Sequence, residues 1–189
     1  MTTITDDFEI ILVCDGSPDN SWNEILKCCV EDKRVVGINL SRNFGQHPAL
    51  SAGLKYAKGE CVVVIDCDLQ DNPTEIIRMY ELKNQGYDIV HTRRIKRKDG
   101  LMKRLSSKVF NAVYTFLSGM KVDGSVPNFC MLSKKVVEEF NKMGEVSRSF
   151  QSLTSYLGFK TITIDTEHQN RYEGKSSYSI MKLLKLNLH

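Results

Sequence analysis

No stretch of this 189-residue chain reaches the roughly 18 apolar residues that a membrane-crossing helix needs, and no signal-peptide pattern opens it. The net charge is only +3, too small a surplus to argue for nucleic acid. The six cysteines, at 14, 28, 29, 61, 67 and 130, lack the paired spacing of a metal site. Several fall in apolar strand patterns, which suits reduced thiols buried as small hydrophobes in a cytosolic protein. The composition is that of an ordinary globular domain, 41% hydrophobic and 26% charged, and the length suffices for one domain with a sizeable core.

The most informative stretch is Cys61–Pro73, CVVVIDCDLQDNP. Cys61-Val62-Val63-Val64-Ile65 is apolar and β-rich without alternation, which predicts a strand buried on both faces. Asp66 and Asp68 follow directly, then Gln70, Asp71 and a helix opened by Pro73. In open α/β sheets ligands bind beyond the carboxyl ends of strands. Two carboxylates at i and i+2 on extended chain would point the same way about 6–7 Å apart. Mg²⁺ and Mn²⁺ favour such oxygen ligands and complete their shells with water and phosphate oxygens. One reading is therefore a divalent-metal site that holds a diphosphate; the other is a solvated acidic turn that caps the next helix. Cys67, between the two aspartates, is a poor nucleophile because neighbouring carboxylates disfavour its thiolate.

In chain order, Phe8–Cys14 predicts a strand, Asp15–Asp19 a turn, and a helix follows to about Val30. Asp15 and Ser17 at a strand's end could meet a base or ribose, or could only build the turn, with Asp19 or Asn20 capping the helix. Arg34–Leu40 is a strand, Ser41–His47 a loop, Pro48–Lys58 a helix. After the acidic turn comes a helix ended by Gly86, then a strand at Tyr87–His91. This alternation predicts a doubly wound, mostly parallel sheet whose loops share one rim, carrying Asp15, Arg42, Asp66, Asp68, Arg93 and Arg94. Carboxylates for a metal and guanidinium groups for phosphate suit a metal-bound diphosphate.

The second half is less regular. Arg93–Lys108 carries eight Lys or Arg against one Asp. Helices are predicted at Leu101–Leu117, Lys134–Met143 and Phe150–Leu157, and strands at Asn128–Leu132 and Thr161–Asp165. Arg171–Ser177 is a basic, Gly-containing loop. Tyr178–His189 is Leu-rich with Lys182 and Lys185, and would either lie in a membrane interface or pack on the domain as a terminal helix.

Four segments read together carry a resemblance. Cys14-Asp15-Gly16-Ser17-Pro18-Asp19 is similar to the "DDGS-x-D" segment of inverting family 2 glycosyltransferases of the GT-A (Rossmann-like) fold. Ser41-Arg42-Asn43-Phe44-Gly45-Gln46 resembles the "SRNFG" of their polyprenyl-phosphate, dolichyl-phosphate mannose synthase-like subgroup. Asp66-Cys67-Asp68-Leu69-Gln70-Asp71 matches "DADLQDPP", and Arg171, Gly174, Ser176 and Tyr178 fit "R-x-x-G-x-SKY". The resemblance implies Asp15, Ser17 and Arg42 at the nucleotide sugar. It places Asp66 and Asp68 on Mg²⁺ or Mn²⁺ and the diphosphate, with Gln70 and Arg94 nearby. Arg171 would act with Asp66 and Asp68 in catalysis, and Arg97, Lys103, Asn128 and Lys175 would serve the acceptor or its phosphate.

Three departures stand out. Cys14 replaces a frequent first Asp. Asn128 stands where many relatives have the Asp proposed as catalytic base. The chain is expected to lack the family's opening strand and helix, which would make it a fragment of a longer enzyme. The resemblance implies a single catalytic domain, with residues 1–92 binding nucleotide sugar, 93–176 on the acceptor side and 177–189 as a membrane-interface helix. The implied reaction moves a sugar from its nucleotide diphosphate to a polyprenyl phosphate, with inversion, at the cytoplasmic face of a membrane and without nucleic acid. The alternatives are transfer to a sugar hydroxyl in cell-surface polysaccharide synthesis, or a non-catalytic nucleotide-binding domain. An exposed sheet edge would also allow homo-oligomers.

Overall fold

A computed structural model describes residues 4–94, 128–143 and 158–166. The helices expected over 101–117, 150–157 and 178–189, and the loop 171–177, lie outside these residues. In order run β1 (Ile10–Cys14), α1 (Ser21–Glu31), β2 (Val35–Asn39), α2 (Gln46–Tyr56), β3 (Cys61–Val64) and α3 (Glu75–Asn84). They are followed by β4 (Ile89–Arg94), β5 (Cys130–Ser133), α4 (Lys134–Lys142) and β6 (Thr161–Thr166). The strand–helix alternation of the first half is the expected one, although α2 begins two residues earlier than Pro48 and β4 runs on to Arg94.

The sheet is mixed rather than simply doubly wound. β1 and β2 pair in parallel, from Ile10 opposite Val35 to Cys14 opposite Asn39. The other strands form a sheet ordered β3-β5-β4-β6, in which β5 enters between β3 and β4 antiparallel to both, and β4 and β6 are parallel. The sequence pattern shows β5 only as a short apolar strand. Its interior place explains why all four of its residues are buried. Among the described residues no ladder joins β1 to β3. Helix α2 spans them: a Cβ on Gly53 would sit 3.3 Å from Val13, while Leu54 joins the core of the larger sheet.

That larger sheet is covered on both faces, which is why β3 and β5 show no polar alternation, whereas β6, at its edge, alternates. Val64, Ile89, Cys130 and Leu132 pack with Leu54 of α2 and with Val136, Val137 and Phe140 of α4. On the opposite face Val90, Phe129, Met131 and Ile164 pack with Ile76 and Met79 of α3. Fully burying side chains of this size contributes roughly 1.5–3 kcal/mol each. The smaller sheet is covered by α1, whose Ile25 and Trp22 press on Gly37; a Cβ there would lie 2.8 Å from Ile25.

Two positions in this frame are under constraint. Gly16, at φ +60, lies against the loop after β2, and an added Cβ would fall 2.4 Å from the carbonyl carbon of Arg42 and 2.5 Å from the amide nitrogen of Asn43. His91, in β4, is buried with its Nδ1 unpaired. It shares a face with Ile89 and stands opposite Cys130 on one side and Thr163 on the other.

Burial holds the His91 imidazole below its ordinary value of 6.5, and burial moves His47 of α2 in the same direction. A folded-state value below the unfolded one means that the unfolded chain binds more protons near and below pH 6.5. Stability is therefore full above that value and is lost as pH falls towards the folded-state values. We expect His91→Leu to reduce the loss of stability between about pH 7.5 and 5.5, read as the shift of the urea midpoint; an unchanged pH slope would refute the assignment. For Gly16→Ala, an unfavourable φ and a backbone clash act together, so a stability loss of about 2 kcal/mol or more is expected from chemical denaturation. A loss below about 0.5 kcal/mol would mean that the two loops separate without cost.

Candidate functional site

The site lies at the rim formed by the C-terminal ends of β1, β2, β3 and β4 and, because β5 is antiparallel, by the N-terminal end of β5. Val64 and His91 both stand opposite Cys130. Two residues further along the same strand directions come Asp66, Asn128 and Arg93. Between β4 and β5 the pairing continues one residue beyond His91: the backbone N–H and the hydroxyl of Thr92 both donate to the carbonyl of Phe129, at 3.2 and 2.8 Å. The insertion of β5 thus brings Asn128, remote in sequence, to the end of the sheet at which β3 and β4 finish.

The acidic turn differs from the extended geometry expected for it. β3 ends at Val64, Cys67 and Asp68 form a turn, and Leu69 takes φ +58 and is 68% exposed. A non-glycine residue in that region costs about 1–2 kcal/mol. The turn is held by the amide of Gln70, which donates to Asp68 Oδ1 at 3.1 Å, and by the burial of Gln70 and Asp71 beneath it. Asp66 and Asp68 are half-buried. Cys67 agrees with its expected inertness, since desolvation pushes its thiol up and the Asp66 and Asp68 charges push it further. This donor set is two carboxylates and a protonated thiol. Among the described residues no group of three His, Cys, Asp or Glu side chains could hold a metal. The residues therefore fit a hard cation such as Mg²⁺ or Mn²⁺ that draws its remaining ligands from water and phosphate oxygens, and they do not fit a soft or fully protein-caged metal.

Asp15, expected at the nucleotide, lies at the rim and is tied to the loop after β2. Its two oxygens accept the backbone N–H groups of Phe44 and Gly45, each at 2.8 Å. These amides precede α2, so the carboxylate occupies the positive end of that helix. Ser17 is exposed on the loop after β1, and Asp19 accepts the Ser21 amide at 3.0 Å. Arg42 is exposed, with its guanidinium 4.6 Å from the centre of the Phe44 ring. Arg93, expected among the rim cations, forms a two-pronged pair with Asp165, directly opposite on β6, at 2.7 and 3.3 Å.

Asn128 is half-buried at the rim, and Arg94 closes β4. Arg97, Lys103, Arg171 and Lys175 lie outside the described residues. One site residue was missed by the sequence reading. Gln46, the first residue of α2, donates from Nε2 to Asp66 Oδ1 at 3.0 Å. Its only sequence signal was its place at the end of the SRNFGQ segment.

Comparison with known proteins places this geometry. Residues 3–140 match the model of glycosyl transferase family 2. The chain is 37% identical over 187 residues to the undecaprenyl-phosphate 4-deoxy-4-formamido-L-arabinose transferase of Photorhabdus laumondii, covering 97% of this chain and 57% of that protein. It is 35% identical over 193 residues to an uncharacterized glycosyltransferase of Bacillus subtilis, covering all of this chain and 58% of that one. The chain thus spans somewhat over half the length of these relatives. In fold, it resembles a mannosyltransferase from Pyrobaculum calidifontis solved with GDP-Man and Mn²⁺, at TM-score 0.56 and 16% identity over 89% of this chain and 49% of that one. It also resembles glucosyl-3-phosphoglycerate synthase from Mycobacterium tuberculosis, at TM-score 0.51 and 18% identity over 94% of this chain and 64% of that one. With a family match over most of its length and an α/β fold of the GT-A type, the chain belongs to glycosyl transferase family 2.

Proposed function

We propose that this chain is the catalytic part of an inverting glycosyltransferase that moves a sugar from a nucleoside diphosphate sugar to a polyprenyl phosphate. The observation that carries the reading is the rim itself, where Asp66 and Asp68 follow β3 at the turn and the antiparallel β5 starts from Asn128 at the same end of the sheet. Asp66 and Asp68 would hold a divalent cation, whose role when bound is to stabilise the charge on the departing diphosphate. Arg171, Arg94 and Lys175 would add cationic donors to phosphate oxygens. The transition state has oxocarbenium character, so most of the catalytic demand falls on the leaving group.

Asn128 distinguishes between acceptors. A hydroxyl acceptor needs a base to take its proton, and an amide side chain has no basicity to offer. A lipid phosphate is already an anion at neutral pH and needs none. The name of the Photorhabdus laumondii relative, an undecaprenyl-phosphate sugar transferase, points to the same acceptor. The basic stretch 93–108, with Arg97 and Lys103, and the Leu-rich 177–189 suit a headgroup surface, so we place the protein at the cytoplasmic face of a membrane. Among the described residues no helix is long and apolar enough to cross one.

Titration of UDP, dTDP and GDP, with and without Mn²⁺, should show binding of one nucleotide that depends on the metal and is abolished in Asp66→Ala/Asp68→Ala. Binding that survives in that variant would remove the metal site. With radiolabelled sugar nucleotide, product should partition into organic solvent as a lipid-linked sugar; product that stays in the aqueous phase favours a hydroxyl acceptor. Asn128→Asp should leave transfer to polyprenyl phosphate within about twofold, whereas a needed base would raise it by ~10²-fold or more.

A further inference from the structure

We infer that Gln46 is a positioning residue for the Asp66 carboxylate, and that Asp15 acts on the same carboxylate through the loop that carries Gln46. The inference rests on the reading above that Asp66 holds a divalent cation.

Three features of the contact support it. A carboxylate only accepts hydrogen bonds, so the Gln46 amide must turn its NH₂ to Asp66, and the contact is Nε2 to Oδ1 at 3.0 Å. The torsion that orients a carboxylate is broad and roughly two-fold, so without a partner the Asp66 oxygens would sample many directions. The donor is neutral. A lysine or arginine at 46 would also orient the group, but its charge would compete with a cation; an amide fixes one oxygen and leaves the negative charge in place.

Gln46 is itself held from both sides. Just before it, the Phe44 and Gly45 amides are bound by Asp15, and Gly16 packs the loop after β1 onto Arg42 and Asn43 with no room for a side chain. Beyond it, Gly45 accepts the first helical bond from Ala49 at 3.2 Å. At the far end of α2, Leu54 is buried and its carbonyl accepts from Asn141 Nδ2 at 3.3 Å. A short path therefore runs from the carboxylate after β1 to the carboxylate after β3: the hydrogen bonds that the Phe44 and Gly45 amides donate to Asp15, the covalent chain from Gly45 to Gln46, and the hydrogen bond from Gln46 to Asp66.

The test uses Mn²⁺ alone, read as loss of the free hexaaqua Mn(II) signal in electron paramagnetic resonance. Binding in the wild type that is lost in Asp66→Ala establishes the site. Gln46→Met keeps the length of the side chain and removes the donor; it should weaken Mn²⁺ by about 10–100-fold, as loss of a partner behind a metal ligand does, with the urea midpoint nearly unchanged. Asp15→Asn should weaken Mn²⁺ as well, and the double variant should lose no more than the larger single loss, because both act along one route. As a check that needs no substitution at position 46, the side-chain amide resonances of Gln46 should shift when the wild type is saturated with Mg²⁺. Wild-type affinity in Gln46→Met, losses that multiply in the double variant, or unshifted Gln46 resonances would each overturn the inference while leaving the metal site standing. Absence of any Asp66-dependent Mn²⁺ binding in the wild type would overturn both.

Discussion

The arrangement depends on the entry of β5 between β3 and β4. A strand so placed must be apolar on both sides, and Cys130, Met131 and Leu132 meet that demand by alternating between the α2/α4 core and the α3 core. Because β5 runs against its neighbours, the residue that precedes it reaches the rim where β3 and β4 end. The hydrophobic requirement of the sheet therefore sets the address of Asn128, a polar residue whose environment the local sequence does not reveal.

The electrostatics of the rim follow from how its charges are held. Arg93 is paired with Asp165, whose carboxyl is held below the usual carboxylate range chiefly by the hydrogen bond from that guanidinium. Both partners are half-exposed, so the pair adds little to stability, yet it withdraws one cation from the site. Asp15 is spent on two backbone amides. Asp66 and Asp68 remain close in sequence, anchored by neutral donors from Gln46 and the Gln70 backbone.

Much of this was legible in the sequence. The unalternating CVVV strand, the acidic residues that follow it and the strand–helix rhythm up to β4 could be read because each depends on residues adjacent in the chain. What could not be read depends on pairs far apart. Asp15 meets Phe44 and Gly45, and Gln46 meets Asp66, through loops that only the folded sheet brings together. The extended Asp-x-Asp geometry failed for a local reason: Leu69 occupies a backbone region that sequence rules reserve largely for glycine, and it is kept there by the Asp68–Gln70 bond and by the burial of Gln70 and Asp71. The placement of β5 was hidden because a four-residue apolar strand carries no mark of its direction or neighbours.

The two sheets are joined over one face by α2 rather than by a described ladder between β1 and β3. Elements joined by side-chain packing can loosen separately from the ladders on either side, and cooperative units of opening commonly follow such seams. Helix α2 then behaves as a latch: its start is fastened at the rim and its end in the core of the larger sheet. Any motion that parts β1 and β2 from the rest must first lift this helix, so breathing of the molecule and the integrity of its acidic rim are governed by the same eleven residues.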